Sequence, residues 1–253
     1  DPLTADEATA LFKPGLKGAK GIVVAVSGGP DSIALLALLA RWKDRPRLIA
    51  ATIDHRLRPE SASEAALVAG FAASLGVSHV VCPWEGVKPA SGLQEAAREA
   101  RYAMLAQVAR KRGCDSMVTA HHAEDQAETI LMRLIAGSGI AGLTGMQPVT
   151  VREGLSHVRP FLAVSKARLV ATCKALGVPF VSDPSNRDDR FTRARLRGLL
   201  PLLAGEGLTI GRLVALGRRA ARVEEALAAM TREVMSNADA VSYTHLTLPT
   251  KRI

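Results

Sequence analysis

The segment SGGPDS at residues 27–32 stands between a short apolar run and an apolar helical pattern. Two adjacent glycines allow the backbone to turn several N–H groups toward one point, and the helix that follows adds the positive end of its dipole. Such a turn is suited to binding an anion, above all a phosphate. The segment has neither the GxxxxGKS/T pattern of P-loop NTPases nor the GxGxxG spacing of dinucleotide-binding folds. An ordinary glycine-rich turn between a strand and a helix is the alternative.

A second polar segment, HHAEDQAET at residues 121–129, opens a predicted helix. If that helix begins near Ala123, Asp125 and Glu128 share one of its faces. His122 leads into this face, and a histidine with two carboxylates beside a triphosphate can hold Mg²⁺ and deprotonate an amine. A solvated first turn, enriched in acids because they suit the helix dipole, explains the same residues without a site. A zinc site is disfavoured, since no cysteine lies at ligand spacing from the histidines.

These polar segments follow predicted strands that alternate with predicted helices. The strands are expected at residues 22–26, 47–53, 79–82 and 117–119, and the helices at residues 33–39, 61–75, 93–110 and 123–135. Such alternation predicts an α/β fold with a doubly wound parallel sheet. Ligands of these sheets bind at the carboxyl ends of the strands, where Asp54 and His55 also lie. We therefore expect the glycine loop, Asp54 with His55, and His121 with His122 to converge on one crevice.

Beyond Pro148 the alternation weakens and helical patterns take over. A helix is predicted at residues 165–176 with Ser165 as its N-cap, and a longer one at residues 207–234. A basic helix between them is expected to close at residues 199–201. The chain is thus expected to contain a small, mainly helical subdomain after the sheet.

Three parts of the chain follow from these patterns. A nucleotide-binding catalytic domain is expected at residues 1–148, and a basic helical subdomain at residues 149–240. The last segment, residues 241–253, departs from the Ala, Leu and Arg-rich composition before it and resembles an in-frame translation of a sequencing-library adaptor. We expect this tail to lie outside the fold, and a chain that opens with Asp1 to be a fragment.

The net charge and the composition limit the kinds of partner that the protein is expected to bind. Lys and Arg number 33 against 24 Asp and Glu, a net charge of +9, which suits a nucleic-acid partner. Aromatic residues make up 4% of the chain, too few for a base-stacking platform. No apolar run approaches the ~20 residues of a membrane span. The expected setting is the cytoplasm, and the oligomeric state stays open.

Several motifs resemble those of one enzyme family. The loop SGGPDS resembles the SGGxDS loop of the PP-loop ATP pyrophosphatases, and DHRLRPES at residues 54–61 is similar to the DHxLRPES of one branch of them. HHAEDQAET and GSGIAGLTGM at residues 137–146 resemble the HHxxDQAET and GSGxxGLxGM segments of tRNA(Ile)-lysidine synthetases. DPSN at residues 183–186, followed by Arg193, fits the DxSNxxxxxxR pattern of the same family.

The resemblance covers about residues 21–234 and has two departures. Glu124 stands where the family usually has Asp, and Ala194 where many members have Asn. The resemblance implies an adenine nucleotide α-hydrolase-like fold. It also implies a reaction in which ATP adenylates the wobble cytidine of an isoleucine tRNA with a CAU anticodon, after which L-lysine displaces AMP.

The resemblance also assigns site residues. The expected catalytic residues are Asp31, His122, Asp125 and Glu128. The expected ATP-binding residues are Ser27, Gly28, Gly29, Pro30, Asp31, Ser32, Asp54 and His55. Mg²⁺ is expected at Asp31 and Asp125, and tRNA at Arg193, Arg195 and Arg197. For these arginines a solvated helix face is the alternative.

Two other functions remain open. A PP-loop tRNA thiolase would adenylate a base in the same way, but it generally needs a persulfide-carrying cysteine or a cluster bound by CxxC. Cys82, Cys114 and Cys173 are far apart and outside any CxxC, which disfavours a thiolase, disulfides and a zinc knuckle, and suits the reducing cytosol. A non-catalytic nucleotide- or RNA-binding module would keep the glycine loop but tolerate loss of Asp125 and Glu128.

Overall fold

The computed structural model describes residues 1–54, 61–85, 88–89, 92–181 and 192–237. Its strands are β1 (Gly21–Ala25), β2 (Arg47–Asp54), β3 (Ser78–Pro83), β4 (Ser116–Val118), β5 (Val149–Arg152) and β6 (Leu155–Val158). They form one six-stranded sheet in the order β3-β2-β1-β4-β6-β5. Neighbouring strands are parallel except β5 and β6, which are antiparallel. The predicted fold class, a mainly parallel doubly wound sheet, is confirmed.

The strand before the glycine loop, β1, lies inside the sheet between β2 and β4. Its residues Ile22, Val23 and Val24 are 0% exposed. A run of β-branched residues is typical of a strand buried on both faces. Ile22 and Val24 belong to the larger apolar core and Val23 to a second core, because successive side chains of a strand point to opposite faces.

Helices cover both faces of the sheet. They are α1 (Ala5–Leu16), α2 (Pro30–Arg41), α3 (Ser61–Ser74), α4 (Leu93–Arg112), α5 (Ala123–Ile135), α6 (Ile140–Leu143), α7 (Lys166–Ala175), α8 (Thr192–Gly205) and α9 (Ile210–Asn237). The larger core receives side chains from α1, α2, α3 and α7. The second core receives Tyr102 and Leu105 from α4. The glycine loop and the start of α5 therefore sit on a scaffold packed from both sides.

The hairpin of β5 and β6 lies where the sequence predicts mainly helix. Each strand has four residues, and Glu153 and Gly154, both with positive φ, form the turn between them. Because β6 pairs with β4, the sheet extends past residue 148, where we expected the first domain to end. Strands this short contain too few alternating positions to give a periodic signal.

The helices after the sheet pack on α5 through a third apolar cluster. Ile130 of α5, Leu200 of α8 and Leu213 of α9 are buried members of it. A Cβ on Gly217 of α9 would lie 2.6 Å from Ile130 Cδ1, so glycine allows this close approach. Since α5 follows β4 directly in the chain, the helical part is attached at the carboxyl edge of the sheet.

The prediction that the basic helix closes at residues 199–201 is wrong. Helix α8 continues to Gly205 with Pro201 inside it. A proline within a helix costs about 3 kcal/mol. Leu196 before the proline is buried in the third cluster, and Leu203 after it packs against the same cluster. Tertiary packing on both sides of Pro201 therefore stabilises the helix.

The predicted tail, residues 241–253, lies outside the described residues. Among the helices that the structure describes, none alone is both long and apolar enough to cross a membrane. The bent pair α8 and α9, with 99° between its members, meets the length and composition criteria only when the two are taken together.

Candidate active site

The glycine loop at residues 27–32 is a tight turn between β1 and α2. Gly28 has a φ of +86°, a left-handed conformation that favours glycine. The N–H of Ser27 donates to Ser32 Oγ at 3.1 Å, and Ser32 Oγ donates to the Gly29 carbonyl at 3.0 Å. Pro30 occupies the first turn of α2, as predicted. These bonds shape the loop and place the amino end of α2 at the carboxyl edge of the sheet.

Three helices begin at one point beside this loop. Asp31 lies in the first turn of α2, His122 is the N-cap of α5, and Lys166 is the first residue of α7. His122 Nε2 is 3.6 Å from Asp31 Oδ2, and Lys166 Nζ is 3.8 Å from the same oxygen. Helix amino ends carry partial positive charge, so a point where three of them meet favours a polyanion.

Two carboxylates of α5 complete this cluster. Glu124 Oε2 lies 3.0 Å from His122 Nδ1 and accepts the backbone N–H of Lys166 at 2.9 Å. Asp125 Oδ2 lies 3.4 Å from His122 Nε2 and accepts the backbone N–H of the same histidine at 3.0 Å. The structure thus brings together Asp31, His122 and Asp125, which the sequence predicts to share a crevice.

Burial and charge act in opposite directions on the pKa values in the cluster. Burial raises the pKa of Asp31, while the charges of His122 and Lys166 oppose this rise. Burial lowers the pKa of His122, but its hydrogen bond with Glu124 and the charge of Asp125 outweigh burial and raise this pKa overall. The imidazolium form of His122 therefore persists to higher pH than in a free histidine.

The carboxylates of the cluster fit a magnesium ion shared with phosphates. Asp31 Oδ1 is buried and, within the described residues, has no hydrogen-bond partner. The Asp125 carboxylate lies beside the same histidine as Asp31. Mg²⁺ is usually held by one or two carboxylates together with substrate phosphates. No group of three or more His, Cys, Asp or Glu side chains in the described ranges could hold a metal ion, so those residues form no all-protein metal cage.

The other histidine of the pair, His121, belongs to a different network. Its Nδ1 is 2.8 Å from Thr119 Oγ1, which lies 2.9 Å from His157 Nε2. Burial, reinforced by the charge of Arg159, lowers the pKa of His121 well below its ordinary value. His121 is therefore neutral at pH 7, and of the two neighbours it is His122 that contacts Asp31.

Of the two ATP-binding residues predicted at the end of β2, the structure describes Asp54. Asp54 is the last residue of that strand and is half-buried at the carboxyl edge of the sheet. Its carbonyl accepts the N–H of Trp84 at 2.7 Å. His55 and the DPSN segment at residues 183–186 lie outside the described residues.

Glu128, predicted as a catalytic residue on the same helical face as Asp125, lines a cleft beside the cluster and is paired with Arg197 of α8. Its side chain is 0% exposed, and its Oε1 accepts Arg197 Nε at 2.7 Å. Oε2 is also buried and has no hydrogen-bond partner in the described part of the chain. Through this ion pair Glu128 links α5 to α8.

A cleft of about 490 Å³ opens beside the cluster. Its charged and polar wall consists of His122, Glu124, Glu128, Lys166 and Arg197. Its other wall comes from α8 and the start of α9, with Leu200, Pro201, Ala204, Thr209, Ile210 and Gly211. A mainly apolar pocket with a few charged groups fits a small molecule that carries an amine and an aliphatic chain.

The three arginines predicted to contact tRNA all lie on α8 but differ in their surroundings. Arg195 is exposed. Arg193 is half-buried, and its Nη2 lies 3.5 Å from Thr129 Oγ1. Arg197 is 44% exposed and holds Glu128. The structure therefore gives α8 a basic outer surface beside the cleft and directs one of its arginines inward.

Sequence reasoning missed Lys166 as a functional candidate. It predicts Ser165 as the N-cap, and Ser165 Oγ does accept the N–H of Arg168 at 3.4 Å. A helix start does not reveal which distant segment it faces. One signal was available, because a lysine at the first helical position opposes the helix dipole and needs another reason to be there.

Comparison with known proteins identifies the family. The PP-loop domain family matches residues 2–203. The chain is 56% identical over 216 residues to the tRNA(Ile)-lysidine synthase of Methylobacterium nodulans, covering 85% of this chain and 63% of that protein. It is 51% identical over 233 residues to the tRNA(Ile)-lysidine synthase of a Bradyrhizobium species, covering 90% of this chain and 65% of the relative. The chain thus spans somewhat less than two thirds of the length of these relatives.

Among solved structures, the U34-tRNA thiolase NcsA from Methanococcus maripaludis, determined with its [4Fe-4S] cluster, is similar in fold. The TM-score is 0.71 at 17% identity, over 87% of this chain and 79% of that one. At this identity the likeness concerns the fold alone. Sequence identity to the two curated relatives is much higher, at 51% and 56%. The chain is also 54% identical over 231 residues to the tRNA(Ile)-lysidine synthase of a Methylobacterium species, covering 90% of this chain and 67% of that protein. The chain belongs to the PP-loop family and, within it, to the tRNA(Ile)-lysidine synthases.

Proposed function

We propose that this chain is the catalytic part of a tRNA(Ile)-lysidine synthase. ATP adenylates the wobble cytidine of an isoleucine tRNA with a CAU anticodon, and L-lysine then displaces AMP. The observation that carries this proposal is the meeting of three helix starts with the carboxylates around His122, beside a cleft with acidic and apolar walls. The helix starts suit a polyphosphate, and the cleft suits an aliphatic amine.

In the first step, the carbonyl oxygen of the cytosine base attacks the α-phosphorus of ATP. The bond between this phosphorus and the bridging oxygen breaks, and pyrophosphate leaves with the electron pair. The glycine loop and the amino end of α2 bind the pyrophosphate. Asp31 and Asp125 would hold Mg²⁺, which supplies charge neutralisation to the phosphates. His122, whose pKa is raised, adds a cation at the same place.

In the second step, the ε-amine of lysine forms a bond to the activated carbon of the base, and AMP departs. The amine must be neutral to attack, although a lysine side chain has a pKa near 10.4 in water. Asp125 is the proton acceptor best placed for this step, because it adjoins His122 and Glu128 is already paired with Arg197. His122 orients the carboxylate through the bond from its backbone N–H.

The cleft beside the cluster is the proposed lysine site. The aliphatic stem would lie along Leu200 and Ile210, and Glu124 offers a carboxylate to an ammonium group. Arg197, which is 44% exposed, offers a cation to the α-carboxylate. The tRNA would approach along the basic outer surface of α8, with Arg193 and Arg195 as phosphate contacts. We place the protein in the cytoplasm, where its tRNA substrate is found.

The surroundings of Cys173 favour this reaction over thiolation. Cys173 lies next to the glycine loop, and its Sγ is 3.2 Å from the Pro30 carbonyl. It is fully buried, and burial raises the pKa of its thiol to about 11. A sulfur-transferring cysteine needs an accessible, low-pKa thiol, which Cys173 is not.

The proposal is tested by following both products with ATP, Mg²⁺ and a CAU-anticodon isoleucine tRNA. Without lysine, we expect one burst of pyrophosphate that requires the tRNA; with lysine, AMP and pyrophosphate appear together at steady state. Because Asp125 helps to hold Mg²⁺ as well as accepting the proton of the amine, Asp125→Asn should slow pyrophosphate release and slow lysine-dependent AMP release further, whereas the exposed control Asp6→Asn should match the parent protein. Pyrophosphate release that does not depend on the tRNA, or AMP release that does not depend on lysine, would overturn the proposal.

A further inference from the structure

The position of Lys166 is fixed by the packing of its helix. Helix α7 buries Leu169 and Cys173, both 0% exposed, in the core that it shares with α2. Cys173 Sγ contacts the Pro30 carbonyl of the glycine loop. The backbone N–H of Lys166 is held by Glu124 Oε2 at 2.9 Å. The start of α7 is therefore anchored against both the glycine loop and the start of α5.

The side chain of Lys166 is held more loosely than its backbone. It is 45% exposed, and its Nζ lies 3.8 Å from Asp31 Oδ2, beyond hydrogen-bond distance. It also lines the cleft. The ammonium can therefore turn from Asp31 toward a ligand on the glycine loop while its backbone stays in place.

Charge balance calls for a cation at this point. A polyphosphate on the loop would bring its negative charge close to the carboxylates of Asp31, Glu124 and Asp125. Among the described residues, the cations within 4 Å of Asp31 are His122 and Lys166. Arg197 already holds Glu128 at 2.7 Å. Lys166 is thus the flexible cation available to the phosphates.

We propose that Lys166 is a catalytic residue that binds the pyrophosphate part of ATP and stabilises the charge gathered there as the bond to the α-phosphorus breaks. The electron pair of that bond leaves on the pyrophosphate oxygen, and Lys166 stays protonated throughout. The amino end of α7 adds its dipole to that of α2. This inference rests on the proposed function for the identity of the phosphate donor.

The test compares Lys166→Ala and Lys166→Arg with Lys174→Ala, which removes an exposed lysine from the last turn of the same helix. The first readout is the affinity for inorganic pyrophosphate with Mg²⁺, in the absence of tRNA and lysine. A hydrogen bond to a charged group is worth about 1.5–3 kcal/mol, so Lys166→Ala should weaken this affinity roughly tenfold to a hundredfold. Lys166→Arg should recover most of it, and Lys174→Ala should bind like the parent protein.

The second readout separates a phosphate contact from a structural role. The affinity for AMP, which lacks the pyrophosphate, and the melting temperature should be unchanged in Lys166→Ala. Equal pyrophosphate affinity in Lys166→Ala and the parent protein would overturn the inference, as would a parallel loss of AMP affinity. Neither readout involves lysidine formation, so a parent protein that binds pyrophosphate through Lys166 but makes no lysidine would refute the proposed function alone.

Discussion

Replacing Arg197 in the Glu128–Arg197 ion pair should lower the stability of the fold more than replacing Glu128. Arg197→Ala removes the partner at 2.7 Å from the Glu128 carboxylate, whose side chain is 0% exposed in the parent protein. Breaking a buried pair in this way costs about 3–5 kcal/mol. Glu128→Gln instead leaves a neutral amide that can still accept from Arg197, which is 44% exposed and can be hydrated. Its cost should be about 1 kcal/mol.

Thermal and urea unfolding measure this difference directly. With about 2–4 °C per kcal/mol in a chain of this size, Arg197→Ala should lower the melting temperature by on the order of 10 °C and Glu128→Gln by about 3 °C. The double variant should be more stable than Arg197→Ala alone, because no buried charge is then left unpaired. Arg195→Ala, an exposed arginine on the same helix, is the matched control and should change stability by about 0.5 kcal/mol or less.

Two results would refute this reasoning. One is an Arg197→Ala protein as stable as Glu128→Gln, since Glu128 would then find water or another partner. The other is a double variant whose loss equals the sum of the single losses, since the two residues would then act independently. Either result would also remove the argument that Glu128 links α5 to α8 and would restore it as a proton acceptor.

Three further predictions concern the site. Asp31→Asn should abolish pyrophosphate release while the melting temperature stays within a few degrees of the parent value, and normal release from the folded variant would remove Asp31 from the phosphate site. Arg195→Ala should lower the slope of log tRNA affinity against log salt by about 0.9 for a lost duplex-phosphate contact, with ATP affinity unchanged; an unchanged slope would mean a merely solvated arginine. Because the folded-state pKa of His122 is raised above 6.5, the stability that its protonation adds is complete below pH 6.5 and is lost as pH rises through the folded value. The stability difference between the parent protein and His122→Gln should shrink over that window, and a difference independent of pH would contradict the raised pKa.

The elements nearest the phosphate site are the ones that the sequence predicts best. The apolar run at residues 22–26 gives β1 within one residue, and α5 begins and ends where its pattern predicts. Local chemistry decides these elements: a β-branched run, a glycine turn, a proline in the first turn, and acids at a helix start. The meeting of Asp31 with His122 also follows, because carboxyl ends of parallel strands lie at one edge.

What the sequence does not predict depends on contacts between distant segments. Glu128 has the spacing of an open helical face, and its burial results from the packing of α8 on α5. Pro201 suggests a helix end, yet leucines on either side of it hold α8 together. The place of Lys166 is set by the docking of α7 on α2, and no periodicity in its own segment carries that information.

The central claim, that this chain joins lysine to a tRNA cytidine, is tested most directly by mass spectrometry of nucleosides. The full chain is incubated with ATP, Mg²⁺, L-lysine and the CAU-anticodon isoleucine tRNA, and the tRNA is then digested. We predict that one cytidine per tRNA gains the mass of lysine less one water, that the change maps to the wobble position, and that omission of ATP or lysine prevents it. Unmodified cytidine at that position under complete conditions, or a base that has exchanged oxygen for sulfur, would contradict the account.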